Sequence, residues 1–423
     1  MKVLWLCNIV LPDFAGEYGI KRNVRGGWMT GMLHEVRKNN DIQIGLVFPI
    51  VNRERMRDGV CVGCDYFSFH ADNGDSVQIN EASIERFCEI IGQYEPDIVH
   101  IWGTEYPWCL EMVRACHRSG MEDRMLINIQ GLVSVYAEHF FASVPDEYLD
   151  LSIDGNPTIR SSKAIMDKNG ENEKQALKEA YHVFGRTEWD RACVRAINPD
   201  IDYHACGEIL RDEFYEAHGE WSFEKCEKHR IFISQANYPI KGFHYLLRAL
   251  PLILRKFPDA KVAVAGGINI EGSVSPYLRY ISDTIRELRL EDVVLFLDRL
   301  DAAGMIEQYK KANVFVSPSS IENSSNSICE AMLTGTPVVA SYVGGVPTFV
   351  EHGNNGLLYP ETEIYMLADM IMRLFEDDSL CQSISENATT SMAEYVSKAK
   401  AIDSLLGAYK EIYTKRSSEI ENE

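Results

Sequence analysis

Apolar residues along this chain fall into two alternating rhythms. Short runs of β-branched and aromatic residues, three to nine long, are separated by longer stretches in which apolar positions recur every three or four residues. The first kind reads as buried strands and the second as helices with one apolar face. In the first half the pattern predicts strands over Val3–Leu11, Ile42–Phe48, Tyr66–His70, Ile98–Trp102, Met125–Gln130, His182–Gly185 and Tyr203–Cys206. Helices are predicted over Trp28–Lys38, Glu81–Tyr94, Pro107–Ser119 and Arg186–Ile197. In the second half strands are predicted over Arg230–Gln235, Lys261–Ala265, Val293–Leu297, Val314–Val316 and Pro337–Ser341. The helices between and after them are Phe243–Phe257, Pro276–Leu290, Ala303–Ala312, Asn326–Thr334 and Ile364–Glu376. Alternation of this kind gives an α/β fold with parallel sheets covered by helices on both faces. The polar, turn-rich stretch Asp146–Lys174 reads as an exposed loop, with part of an acceptor surface as the alternative.

A chain of 423 residues is too long for one ordinary core, so two domains of about 200 residues each are expected. The boundary falls near Glu208–Lys228, rich in charge and aromatics, which divides the chain into 1–207 and 208–396. No apolar run is long enough to span a bilayer, and the N-terminal MKVLWLCNIVLP reads as a buried first strand. The net charge of −21, spread over both halves, argues against nucleic-acid binding. The eleven cysteines are scattered among strand and helix patterns, as reduced thiols are in a cytoplasmic protein. Cys61 and Cys64 have CxxC spacing but no second Cys or His pair to complete a metal site.

The chemistry concentrates in loops that follow strands. Residues 317–341 carry two glutamates, Glu322 and Glu330, around a small polar run that opens a helix. A helix start offers backbone N–H groups to phosphate, and carboxylates accept hydrogen bonds from sugar or ribose hydroxyls. Lys241, between a strand and a helix, is a point charge suited to a diphosphate. Arg299, at a strand end, reaches a diphosphate or a nucleobase, or else pairs with Asp298 or Asp301. Gly26 and Gly27 open a helix after the first strand and let a phosphate approach the backbone. No GxGxxG follows that strand, which argues against a nicotinamide or flavin enzyme. His139 is suited to a sugar hydroxyl or to proton transfer, or is a satisfied structural histidine.

Taken together, the chain resembles glycosyltransferase family 4, retaining nucleotide-sugar enzymes of the GT-B fold, over nearly its whole length and most strongly from Ile231 to Pro360. The residues that carry the resemblance are Glu322 and Glu330 separated by seven positions, Ala331-Met332, Gly335, Pro337-Val338-Val339-Ala340, Gly344-Gly345 and Gly356-Leu357-Leu358. Pro96-Asp97-Ile98-Val99-His100 and Gly26-Gly27 match in the first half. The resemblance implies two Rossmann-like doubly wound domains facing across a cleft, with a final helix from about residue 397 returning to the first domain. It implies that Glu330 holds the nucleotide ribose and Glu322 faces the sugar. The backbone at Asn326, Ser327 and Ile328 would meet the diphosphate or sugar, Lys241 and Gly26-Gly27 the diphosphate, and Arg299-Leu300 the base.

The departures are an alanine, Ala236, where the family often has an arginine, and Gln130 where many members have a histidine. A further cation, Arg299, Arg22 or Arg25, would then join Lys241. The loop after Glu322 has Asn and Ser where the family often has Gly and Phe.

The implied reaction is transfer of a sugar from a nucleotide diphosphate sugar to an acceptor hydroxyl with retention of configuration. A UDP-sugar is favoured, with GDP-mannose as the second donor. The acceptor would be a carbohydrate or lipid-linked molecule in polysaccharide or lipid-linked oligosaccharide synthesis. The expected setting is the cytoplasm, at most with weak peripheral contact at the inner face of the membrane. No cofactor and no metal is required, because no Asp-x-Asp motif sits at a suitable strand end. The alternatives are an epimerase or phosphorylase on the same fold, or a catalytically silent sugar-nucleotide-binding protein.

Overall fold

The computed structural model describes residues 1–21, 27–72, 77–268 and 275–420. Gly26, Arg22 and Arg25 lie outside the described residues. The chain divides into two compact units. One comprises Met1–Val135, Ile165–Ile209 and the segment from Val396; the other comprises Tyr136–Ala164 and Leu210–Tyr395. No described helix is long and apolar enough to cross a membrane.

Among the described residues the first unit is built on eight strands: β1 (Lys2–Leu6), β2 (Gln43–Ile50), β3 (Gly59–Cys61), β4 (Cys64–His70), β5 (Ile98–Trp102), β6 (Met125–Asn128), β7 (His182–Gly185) and β8 (Asp202–Ala205). Their order in the sheet is β3-β4-β2-β1-β5-β6-β7-β8. All neighbours are parallel except β3 and β4. Every residue of β5 is buried, as both-face coverage of a parallel sheet requires. The CxxC spacing is explained by the β3–β4 hairpin: Cys61 pairs with Cys64, and Val62 and Gly63 turn the chain with φ of 43° and 73°.

The C-terminal helix Lys398–Ile420 belongs to this unit through Tyr409. The buried Tyr409 hydroxyl accepts from Trp5 Nε1 at 3.0 Å and is hydrogen-bonded to His100 Nδ1 at 2.6 Å. Burial drives the His100 pKa well down, which keeps the imidazole neutral and able to accept.

Two expectations change in the first half. The first strand stops at Leu6 rather than Leu11, because the chain bends at Asn8 and Ile9 before Pro12 starts a 3-10 turn over Pro12–Phe14. The stretch Asp146–Lys174 is not a loop: most of it lies in a 21-residue helix, Ile159–Glu179. Its polar residues mislead because some face inward. Glu173, almost fully buried, accepts from the Val133 N–H at 2.9 Å, the Ser134 N–H at 3.0 Å, and the hydroxyls of Ser134 and Thr104, both at 2.5 Å.

Among the described residues the second unit has six strands: β9 (Arg230–Ile233), β10 (Lys261–Val264), β11 (Val294–Phe296), β12 (Val314–Ser317), β13 (Val338–Ser341) and β14 (Leu357–Tyr359). Their order is β11-β10-β9-β12-β13-β14, and every pairing is parallel. Residues 136–164 join this unit from far upstream. Val144, Leu149 and Ile159 lie in its core, and the Ala142 carbonyl accepts from His244 Nε2 at 2.7 Å and the Tyr245 hydroxyl at 2.8 Å. Burial lowers the His244 pKa to about 3, so that ring is neutral.

Candidate active site

In the second unit, successive strands run outward in one direction from β9 to β11 and in the other from β12 to β14. The reversal lies between β9 and β12. In open parallel sheets the crevice beyond the carboxyl ends of such a strand pair is where ligands bind. A hollow with an empty volume of about 230 Å3 opens there. It is lined by Ser234 and Gln235 after β9, Ser317 and Ser319 at and after β12, and Lys241, Glu322 and Ser327.

Lys241 Nζ and Glu322 Oε1 are 2.5 Å apart, and Ser319 Oγ donates to the same carboxylate oxygen at 2.8 Å. The side chains are 19% and 9% exposed, so this is a nearly buried ion pair. Burial works against the ammonium, but the Glu322 carboxylate outweighs it with help from the Tyr238 and Tyr136 phenols, and the Lys241 pKa is raised.

Two glycines make this meeting geometrically feasible. Gly242, at φ +65°, lies so close to Pro318 that an added Cβ would stand 1.8 Å from its carbonyl oxygen. Gly344, at φ +49°, approaches the Glu322 carbonyl, where a Cβ would fall at 2.0 Å, and the next N–H, of Gly345, donates to that carbonyl at 2.9 Å. Both need a residue without a side chain that tolerates a left-handed backbone.

The helix Asn326–Thr334 starts four residues beyond Glu322. Ser325 precedes it but does not cap it; its hydroxyl meets that of Ser327 at 3.1 Å. The Ile328 and Cys329 N–H groups turn back to the Ser325 carbonyl, both at 3.1 Å, so the Ile328 N–H is already engaged. The Ser327 N–H, in the first turn, makes no intrahelical bond. The Ser324 hydroxyl is buried without a hydrogen-bond partner among the described residues.

Glu330, one turn into this helix and buried, is held by Arg211 and Tyr309. Arg211 directs Nη2 at 2.7 Å and Nε at 3.3 Å to Glu330 Oε1, and its guanidinium lies 4.8 Å from the Phe214 ring centroid. Burial opposes the charge of Arg211, Glu330 overrides it, and the pKa is raised. The Tyr309 hydroxyl is 3.4 Å from Glu330 Oε2 and 3.1 Å from the Ser327 carbonyl. The carboxylate is thus oriented before any ligand meets it.

The structure brings Lys241, Glu322 and Ser327 to one hollow, with Glu330 on the same helix as Ser327. It adds Tyr136, whose hydroxyl accepts from the Asn323 N–H at 2.8 Å and whose pKa is raised by burial and by Glu322. Nothing local in the sequence marks Tyr136, because its partner lies 187 positions away. Arg211 sat inside the charged stretch read as a domain boundary.

His139 is not among the lining residues. It lies in the turn after the helix Val133–Glu138, where its N–H bonds to the Tyr136 carbonyl at 3.1 Å. Arg299 is exposed, and its backbone and stem lie against Gly267, whose added Cβ would sit 2.8 Å from Arg299 Cγ. Asp301 caps the helix Ala302–Lys311 by accepting from the Gly304 N–H at 2.8 Å, and no ion pair of Arg299 occurs among the described residues. Leu300 packs near Gly304. Gly27 begins the helix Gly27–Val36 of the first unit. Gln130 is steadied within the first unit, its carbonyl accepting from Arg186 Nη2 at 2.9 Å.

The first unit has its own strand-order reversal, between β1 and β5. Asn8 follows β1 and Glu105 follows β5. Asn8 Nδ2 donates to Glu105 Oε2 at 2.8 Å, and Trp108 Nε1 donates to Asn8 Oδ1 at 2.7 Å. Burial pushes the Glu105 pKa up to about 7, and the Glu173 charge adds to this.

Residues 218–391 match the family model described as "Glycosyl transferases group 1". The chain is similar to D-inositol 3-phosphate glycosyltransferase of Corynebacterium glutamicum (strain R), 25% identical over 280 residues that make up 64% of this chain and 65% of that protein. It is also similar to an uncharacterized glycosyltransferase of Methanocaldococcus jannaschii, 31% identical over 185 residues, 44% of this chain and 45% of that one. The chain spans less than two thirds of the length of these curated relatives.

Among solved structures, sucrose-phosphate synthase from Thermosynechococcus elongatus aligns with a TM-score of 0.72 at 16% identity, covering 98% of this chain and 100% of that one. Anabaena HepE, solved in complex with UDP-glucose, aligns with a TM-score of 0.62 at 17% identity, covering 99% and 100%. The expected fold is borne out: two Rossmann-like units of the GT-B class.

Proposed function

We propose that this protein is a retaining glycosyltransferase. It moves a sugar from a nucleotide diphosphate sugar, a UDP-sugar first and GDP-mannose second, to a hydroxyl of a carbohydrate or lipid-linked acceptor. The observation that carries this reading is the pairing of Lys241 with Glu322 in a hollow at the reversal point of a parallel sheet, next to a helix start that also bears Glu330. The group 1 match over residues 218–391 and the printed names of the curated relatives support a glycosyl transfer. The UDP-glucose complex of HepE supports the choice of donor.

In this reading the diphosphate takes the Lys241 ammonium and the Ser327 N–H at the helix start. Glu330, pre-oriented by Arg211, accepts from the ribose hydroxyls, and Glu322 accepts from hydroxyls of the sugar. The bond from the anomeric carbon to the phosphate oxygen breaks. The acceptor oxygen bonds to that carbon on the same face, and its proton passes to the leaving phosphate. Fixed positive charge aimed at the leaving group supplies most of the rate enhancement. Arg299 is the second cation in place of the arginine replaced by Ala236. His139, outside the residues that line the hollow, is kept as the candidate to assist an acceptor hydroxyl.

The test is a panel of nucleotide sugars scored first by thermal shift and then by product. A melting temperature raised by one nucleotide class, with transfer to an added acceptor and inversion absent in the product, is the expected result. Donor binding without turnover of any donor and acceptor would mean a silent binding protein. An isomerised donor formed without acceptor would mean an epimerase.

A further inference from the structure

Three side chains on the edge of the first unit's sheet are spaced as metal ligands are. His182 opens β7, and the register pairs it with Asp202 at the start of β8. His204 is two residues beyond Asp202 on the same strand, so the two project from the same face. His182 Nδ1 and His204 Nε2 are 3.3 Å apart. Asp202 Oδ2 is 3.6 Å from His182 Nδ1 and 3.8 Å from His204 Nε2.

These separations are too long for good hydrogen bonds to the carboxylate. They fit a shared ion better: nitrogen and oxygen ligands at 2.0–2.2 Å around a tetrahedral divalent metal stand about 3.3–3.6 Å from one another. We propose that His182, Asp202 and His204 form a divalent-metal site of zinc-like chemistry, with a fourth position left to water. Two imidazoles and one carboxylate suit a borderline first-row ion rather than magnesium or calcium.

The surroundings support this. Asp202 is 42% exposed and each histidine 10%, so the ion has an entry side and a sheltered side. The Phe184 ring stands 5.7 Å from that of His204 and closes the apolar wall. Behind His204, Glu411 Oε2 lies 4.0 Å from Nδ1, the nitrogen turned away from the ion. At that distance the carboxylate is beyond hydrogen-bond reach and contributes negative charge behind the ligating imidazole. Glu411 is carried by the helix Lys398–Ile420, so the ion would fasten that helix to β8. His182 and Asp202 stand at the amino ends of their strands, opposite the ends where such sheets bind substrates. The role is therefore structural, and it holds whether or not the protein transfers sugars.

The test uses the full chain stripped with chelator and titrated with Zn2+ by calorimetry, then with Co2+ by absorption spectroscopy. One equivalent of zinc should bind and raise the melting temperature. Cobalt should give a ligand-field spectrum without the thiolate charge-transfer band that the free cysteines would produce. Asp202→Ala and His204→Gln should lose the equivalent, and Glu411→Gln, which removes a negative charge behind His204, should weaken it. Asp202 is exposed enough that Asp202→Ala should melt like the metal-free parent, so this variant decides if His204→Gln fails to fold. No binding, a thiolate spectrum, or unchanged binding in Asp202→Ala would overturn the proposal.

Discussion

Lys241 is the residue on which the proposed chemistry leans most. Replacing it with alanine removes the fixed cation from the leaving group, and loss of one such charge typically lowers kcat by about 10²–10³. Steady-state rates with the best donor should show that fall, with the nucleotide itself still bound. Arg211 acts one step back, by aiming Glu330. Arg211→Lys keeps the charge but loses the planar fork, so it should weaken nucleotide binding nearly as much as Arg211→Met. Equal affinities for wild type and Arg211→Lys in a nucleotide titration would remove Arg211 from this role.

Glu105 carries a pH signature instead. Its folded pKa of about 7 stands above the usual 4.5, so the folded protein keeps a proton that the unfolded chain has lost between those values. The stabilisation is full below about pH 4.5 and is lost as pH rises through 7, worth on the order of 2–3 kcal/mol. Glu105→Gln, which still accepts from Asn8, should flatten that slope in denaturant melts at pH 5 and pH 8.

Legibility at this scale followed sequence distance. Glu322, Lys241 and Glu330 were readable because each sits in a local strand–loop–helix pattern. Tyr136 was not, since it reaches the site only through a partner 187 positions away, nor was Arg211, 119 positions from Glu330.

At the scale of elements, nearly every predicted strand formed, because a run of β-branched and aromatic residues has few alternatives once both faces are covered. The misses were β3 and β14, only three residues each, the short helices Val133–Glu138, Asp146–Leu149 and Asp212–Glu216, the helix Asp378–Tyr395, and the helix Ile159–Glu179. That helix hides its identity by turning polar Asn169 and Glu173 inward. Binary pattern alone cannot reveal an inward carboxylate whose donors come from other segments.

Two loops hold the Glu322 segment through glycines, and Gly344→Ala tests them. The left-handed backbone costs about 1–2 kcal/mol for an ordinary residue, and the contact with the Glu322 carbonyl adds to it. The variant should melt earlier and lose donor binding together. In the last helix, Tyr409→Phe leaves Trp5 Nε1 and His100 Nδ1 unpaired in a dry core, at about 1–3 kcal/mol for each unsatisfied group.

At the scale of the whole molecule, each unit has its own hydrophobic core, one around Leu4, Val99 and Ile127 and one around Ile231, Val316 and Leu357. Perturbations should therefore report locally. Hydrogen exchange on Tyr409→Phe should lose protection in β1 and β5, while a bound nucleotide should raise it in β9, β12 and the helix Asn326–Thr334. Loss of protection spread evenly over both sheets in Tyr409→Phe would contradict separate cores. Composition told of two domains but not of their interleaving, because residues 136–164 carry no marker of the core they join.

The hydroxyl of Tyr409 also sets a clock. Trp5, in the first strand made, waits for a partner 404 positions later. At synthesis rates of about 5–20 residues per second that interval lasts roughly 20–80 s. Through all of it the indole N–H lacks its phenol, and the His100 imidazole lacks it over the last 309 positions. The second unit, by contrast, takes none of its residues from beyond Tyr395. Synthesis therefore delivers every residue of the second unit before the helix that completes the first.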